Sequence, residues 1–247
     1  MYTATRGFLL WDLDPKNTIS STLTGRMASV VTVLIGAVVL TGTASAASAD
    51  WRIAGYVGAA HTSSTTLRVS PAAGTPVAIP DVEFRGESWT SPIYYGYRIG
   101  WQRERSAIGF EAEFTHAKTI AADTHSTSLT RFEQSHGLNV VLANVSYRSQ
   151  AFCGGRCVAV GRVGGGVSIP HVEATYLGDR VSSYQFGGPA VQAGAGLEFA
   201  VSGSVTLDVD GRMTYTRVTD DLDGATLSAP FATWHVTVGA GWRFRSS

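Results

Sequence analysis

The chain has 247 residues, with 19 basic and 19 acidic side chains giving a formal net charge of zero. No basic stripe is present, which excludes nucleic acid as a partner. Beyond the first fifty residues no apolar run reaches the roughly 18 residues of a membrane helix, which excludes a helical membrane protein.

Taken in chain order, residues Met27 to Ala49 hold an apolar run, Val30 to Leu40, followed by Ala44-Ser45-Ala46 and Ala47-Ser48-Ala49. A run this short ending in small-x-small sites reads as a secretory signal peptide. Residues 1–46 are therefore set apart as signal peptide and leader, with cleavage after Ala46 or Ala49, and residues 47–247 form one domain. Trp11, Asp12 and Asp14 are unusual in a leader, so starts at Met1 and at Met27 both stay open.

Eight alternating segments follow. The first, Trp51 to Thr62, sets Trp51, Ile53, Val57 and Ala59 against Arg52, Tyr56 and Gly58. The second, Ile93 to Gln102, sets Ile93, Tyr95, Tyr97, Ile99 and Trp101 against Gly96, Arg98, Gly100 and Gln102. The third, Ala107 to Lys118, opposes Ile108, Phe110, Ala112 and Phe114 to Gly109, Glu111, Glu113 and Thr115. The fourth, His136 to Arg148, is mixed, because Leu138, Val140 and Leu142 share parity with Asn144 and Ser146. The fifth lies in Val158 to Thr175, the sixth in Tyr184 to Ala200 and the seventh in Val205 to Arg217. The eighth, Trp234 to Phe244, reads Trp, Val, Val, Ala, Trp, Phe on one face and His, Thr, Gly, Gly, Arg on the other. Aromatics at both ends of an apolar stripe about ten residues long are the outer face of a transmembrane β-strand. The aromatic Phe244 close to the C-terminus resembles the assembly signal that the outer-membrane barrel assembly machinery reads.

Tight connections at 103–106, 149–157 and 201–204 alternate with longer loops at 63–92, 119–135, 176–183 and 218–230. That pattern predicts an all-β, eight-stranded antiparallel up-and-down transmembrane barrel in the bacterial outer membrane, surrounded by outer-membrane lipids. A lipocalin-type soluble barrel needs an apolar interior. Here the face opposite the aromatics carries Arg52, Arg98, Arg162, Arg212, Arg243, Glu111, Glu113, Glu198, Asp208 and Asp210. These fill the lumen either as a structural salt-bridge plug or with Glu111/Glu113 or Asp208/Asp210 as a general acid–base pair. Cys153 and Cys157, around Gly154-Gly155-Arg156, read as a local disulfide in an oxidising compartment. A metal pair is the alternative, without a second cysteine pair to complete a zinc site.

His61, His116, His136, His171 and His235 fall close to external strand ends, and His125 lies in the second external loop. They are either polar rim residues or, with Glu173, metal ligands. Pro92-Ile93-Tyr94-Tyr95-Gly96, Phe114-Thr115-His116-Ala117-Lys118, His136-Gly137-Leu138-Asn139-Val140, Ile169-Pro170-His171-Val172-Glu173 and Gly188-Pro189-Ala190-Val191 together resemble the lipid A oxidase group of outer-membrane barrels. The likeness runs from Trp51 to Phe244. It implies oxidation of the proximal glucosamine of lipid A to 2-aminogluconate with molecular oxygen as acceptor. Position within the matched stretches nominates His116, His171 and Glu173 as catalytic or metal-binding residues, and Lys118 as a point charge for a lipid A phosphate. No dinucleotide or flavin motif is present, so a redox cofactor of this chain would be a divalent metal ion. A structural or adhesion barrel of the small OmpA/OmpX type needs none of this chemistry. Lipid A deacylation, which uses a lipid-facing His and Ser two residues apart, finds only His235 and Thr237 at that spacing, on the lumen face.

Overall fold

The computed structural model describes residues 49–245; the predicted signal peptide and leader, residues 1–46, with the cleavage site after Ala46, lie outside them. Fourteen strands are formed: β1 Ala49–Thr62, β2 Thr65–Pro71, β3 Val77–Val82, β4 Phe84–Arg85, β5 Tyr95–Arg103, β6 Ile108–His116, β7 Thr119–Ala121, β8 Leu129–Gln134, β9 Leu138–Arg148, β10 Cys157–Tyr176, β11 Asp179–Tyr184, β12 Gly188–Ala200, β13 Val205–Leu222 and β14 Ala225–Arg245. Eight of them close an antiparallel ring, β1-β5-β6-β9-β10-β12-β13-β14 and back to β1. The seam pairs Trp51 with Phe244, Val57 with Val238 and His61 with Trp234. A closed ring leaves no strand edge unpaired, which is what crossing hydrocarbon requires.

The pleat sends every second side chain outward. Ile53, Ile99, Phe110, Val163, Val209 and Val238 are exposed on that face. Trp242, Phe244 and Tyr147 lie exposed toward the end with the tight turns, and Trp234, Tyr215 and Tyr97 toward the other. An exposed apolar band between two aromatic girdles matches a bilayer, not water.

β13 and β14 are 18 and 21 residues long, about twice what a span needs. Their outer halves leave the membrane, and the chemistry of their faces inverts there. On β13 the outward side chains are Leu207, Val209 and Tyr215 in the bilayer and then Arg217, Thr219 and Asp221 beyond it. Its inward side chains run Asp208, Asp210, Arg212, Thr214 and Thr216, then Val218, Asp220 and Leu222, all of them buried. β14 does the same, with Thr233, His235 and Thr237 inward in the barrel and Leu227, Ala229 and Phe231 inward above it. Once the surroundings change from lipid to water, the apolar face must turn in.

The outer region is a folded head, not a set of loops. The expected loop 63–92 contains β2, β3 and β4, with β2 extending the sheet beside β14. The expected loop 119–135 contains β7 and β8, and β8 pairs with β10. Residues 218–230 are the paired top of the β13–β14 hairpin rather than a loop, and residues 176–183 carry most of β11. Leu67, Ile79, Phe132, Val172, Leu227 and Phe231 are buried together in the head core, and the Phe231 ring meets Phe84 edge-on and Phe132 stacked. The mixed pattern of the fourth segment has the same origin: Leu138, Val140 and Leu142 join the head core, while Asn144 and Ser146 enter the lumen.

Candidate functional site

The lumen is filled by side chains in layers. Nearest the tight turns, Glu198 meets Arg243 at 2.7 Å and Arg148 at 2.8 Å, and Arg52 bonds Asp208. Above it Arg162 bridges Glu111 at 2.7 Å and Asp210 at 2.5 Å. Arg98 then joins Asp210 at 2.8 Å to Glu113 at 3.0 Å. Glu113 also accepts from Tyr56, Asn144 and Gln192, with Arg212 at 3.5 Å. Tyr56 lies between two guanidinium groups, those of Arg98 and Arg212, each 4.7 Å from its ring centroid. Gly96 makes that possible, because a Cβ there would come within 2.2 Å of the Tyr56 ring. His235 closes the stack, held by Tyr94 at 3.0 Å and Thr214 at 2.9 Å. Tyr56 and Gln192 share the inward parity of Arg52 and Glu198, whereas strand parity did not single out Arg148, Tyr94 and Asn144 as lumen residues. His235 and Thr237 are buried in the lumen and do not face lipid.

The predicted disulfide is not closed. Cys153 and Cys157 are free thiols, one exposed and one buried. Cys157 is committed as the first residue of β10, paired with Phe199 and bridged to Phe152, while Cys153 sits in the turn at a left-handed φ of 52°.

Outside the barrel, at its outer end, a cavity of about 410 Å³ opens between Pro92, Tyr95, Phe114, His116, His136, Asn139, Ile169 and Tyr184. Register explains its composition. Tyr95 pairs with His116, and Asn139 with Ile169, and all four side chains take the outward parity of their strands. Asn139 donates to the Ile169 carbonyl at 3.2 Å, so its Oδ1 is left to accept from His116 Nδ1 at 2.9 Å. His116 is thereby fixed as the Nδ1–H tautomer. Its Nε2 is buried and has no hydrogen-bond partner among the described residues, and its ring stacks on Tyr95 with centroids 4.9 Å apart. Gly137, in the turn into β9, permits this packing. Its φ is 106°, and a Cβ there would stand 2.4 Å from His116 Nδ1.

On the same outer wall, His136, His171 and Glu173 offer donor atoms that all lie within 4.8 Å of one another. Glu173 Oε1 accepts from Ser135 at 2.8 Å and faces His136 Nδ1 at 3.1 Å and His171 Nδ1 at 3.9 Å. Its Oε2 faces Arg131 at 3.0 Å and Arg180 at 3.7 Å. Burial raises the Glu173 carboxyl, but the Ser135 hydrogen bond, Arg131 and His136 outweigh it and hold the group below its ordinary value. Burial, with His136 beside it, lowers the His171 imidazole. Of the nominated metal set, His171 and Glu173 are together with His136, whereas His116 is engaged by Asn139. Lys118 is buried, and its Nζ donates to the carbonyls of Thr90 at 2.9 Å and Ser91 at 3.2 Å. His61 stands apart on β1, and His125 pairs with Asp123 on an exposed turn.

Sequence named His136 only among the rim histidines, and strand counting could not pair it with His171 and Glu173. Register carried past the Pro170–Leu138 pair puts residue 136 opposite the inward Val172, and His136 lies in the turn before β9, where alternation ends.

No protein-family model matches the sequence, and no curated protein matches it. Among solved structures the chain is similar to Neisserial surface protein A, with a TM-score of 0.39 and 12% identity over 81% of this chain and 98% of that one. It is also similar to OprG from Pseudomonas aeruginosa, with a TM-score of 0.43 and 9% identity over 79% and 95%. Ail of Yersinia pestis gives 0.33 and 17% over 80% and 99%. The deciding observation is the chain's own closed ring with its apolar belt. It is an outer-membrane β-barrel protein.

Proposed function

We propose that this protein is a small, non-conducting outer-membrane barrel that binds the headgroup of an outer-leaflet lipid in the cavity at its outer rim. The observation that carries this reading is the parity of that cavity. His116, Asn139 and Ile169 project to the lipid side, beside the aromatic rings of Tyr95 and Phe114. An amphipathic ligand fits such a wall, with rings for its apolar part and imidazole and amide groups for its polar part. The lumen does other work, since its charges are paired with one another.

The narrower reading follows the resemblance to the lipid A oxidase group: the headgroup is that of lipid A, and the proximal glucosamine is oxidised to 2-aminogluconate with oxygen. In it, His116 serves as the base, oriented by Asn139 through Nδ1 as a histidine base is oriented by its partner. Lys118 takes a phosphate. The structural or adhesion reading is favoured by a different observation. Lys118 and Glu173 already have protein partners, and the head presents a folded sheet to the outside.

Mass spectrometry of lipid A from cells with and without the protein separates these. A gain of one oxygen that disappears with His116→Ala supports oxidation. Loss of an acyl chain points to deacylation instead. An unchanged mass leaves the binding barrel, and lipid A that fails to co-purify with the wild type, or co-purifies equally with His116→Ala, overturns the cavity as the binding site.

A further inference from the structure

We infer that His136, His171 and Glu173 form a binding site for one divalent transition-metal ion on the outer wall of the head. The three come from separate places in the chain and are joined by the fold. Glu173 and His171 share the outward face of β10, and His136 reaches them from the turn between β8 and β9, where the His171 amide donates to the Gly137 carbonyl at 3.0 Å.

Four features argue for a metal rather than an ordinary ion pair. First, the spacing fits. Tetrahedral ligands at metal distances near 2.1 Å stand about 3.4 Å apart; the Glu173 Oε1 separations of 3.1 Å from His136 and 3.9 Å from His171 bracket that value, and with all three donors within 4.8 Å of one another a side-chain adjustment of about 1 Å closes the set. Second, His171 Nδ1 is buried and has no hydrogen-bond partner, although it is aimed at the carboxylate. A buried polar atom left unsatisfied is costly, and a metal would satisfy it. Third, the two carboxylate oxygens are divided in role. Oε2 is held by Arg131, and Oε1, which also accepts from Ser135, faces the two imidazoles. A ligand fixed through its second oxygen is the usual support for a metal site. Fourth, two imidazoles and one carboxylate suit zinc, cobalt, nickel or copper better than calcium or magnesium. Three protein donors also leave a coordination position for water or an anionic oxygen. His136 lines the rim cavity, so that position is within the cavity's neighbourhood.

The site stands independently of the lipid reading, because metal binding is measured on purified protein without lipid substrate. The full-length protein in detergent micelles is stripped with chelator and dialysed against Zn²⁺ or Co²⁺, and bound metal is counted by elemental analysis. One ion per chain is expected for the wild type and for His125→Ala, the control at an exposed histidine. His171→Gln and Glu173→Gln should each weaken binding at least about tenfold while keeping the circular dichroism of the barrel. A further measurement needs no variant: bound Zn²⁺ should protect His136 from ethoxyformylation while His125 stays reactive. Absence of stoichiometric metal in the wild type, full binding by both substituted proteins, or an unprotected His136 would overturn the site.

Discussion

Glu113 is the residue on which the lumen converges. Its side chain is fully buried, and it serves Arg98, Arg212, Tyr56, Asn144 and Gln192 at once. Buried ion pairs add little against a well-packed apolar replacement, but removing one partner strands the other as an uncompensated buried charge. Glu113→Ala should therefore destabilise the barrel by about 3–5 kcal/mol, read as a shift of the urea midpoint during unfolding in lipid vesicles. A loss below about 1 kcal/mol would mean the plug contributes packing rather than charge pairing.

Asp220 is the opposite case. It is fully buried in the head, above the membrane, with only Gln134 as a hydrogen-bond partner at 3.4 Å. Burial is the main cause that pushes its carboxyl up to about 7; Gln134 lowers it and Asp221 adds to the rise. A folded value above the unfolded one means the folded state holds its proton longer, so stability falls as pH rises from about 4 to about 7 and stays low above that. Asp220→Asn should remove this slope and raise stability at pH 8 by on the order of 3 kcal/mol. Parallel pH profiles for the variant and the wild type would count against a protonated Asp220.

At the scale of elements, what could be read from sequence depended on how long each stripe ran. All eight ring strands were legible because the lipid-facing stripe is long and each strand carries enough of it. The head was not. Its core takes only a few residues from each segment, such as Leu67 and Val69 from β2 or Leu129 and Phe132 from β8, in stretches rich in Ser, Thr and Pro. Its inward parity also begins where the membrane stripe stops, so a strand continuing through the boundary looks like a strand ending in a loop. The site was half legible for a related reason. His116, His136, His171 and Glu173 could all be placed near outer strand ends, but only the folded structure singles out His136 as the partner of the last two. If the head is a sheet, the amides of β2, β3 and β8 should exchange with solvent as slowly as ring-strand amides. Hydrogen exchange followed by mass spectrometry checks this, and loop-like rates over 65–82 and 129–134 would dismiss the folded head.

At the scale of the whole molecule, eight strands enclose a space that side chains can fill, and here they do so with paired charges from Glu198 up to His235. An ion crossing would have to displace guanidinium–carboxylate pairs inside a wall that excludes bulk water, and each displaced charge would lose its compensation. The head then covers the outer end with an apolar core containing Phe132, Leu227 and Phe231. Reconstituted in planar bilayers, the protein should show no steady conductance steps, and a stable open level would overturn the closed lumen. With the lumen packed in this way, the surfaces that face the surroundings are the lipid-facing cavity beside His116 and the outer wall of the head. That restriction is why both the lipid-binding proposal and the metal proposal rest on outward-facing residues of β6, β9 and β10 and the turn before β9.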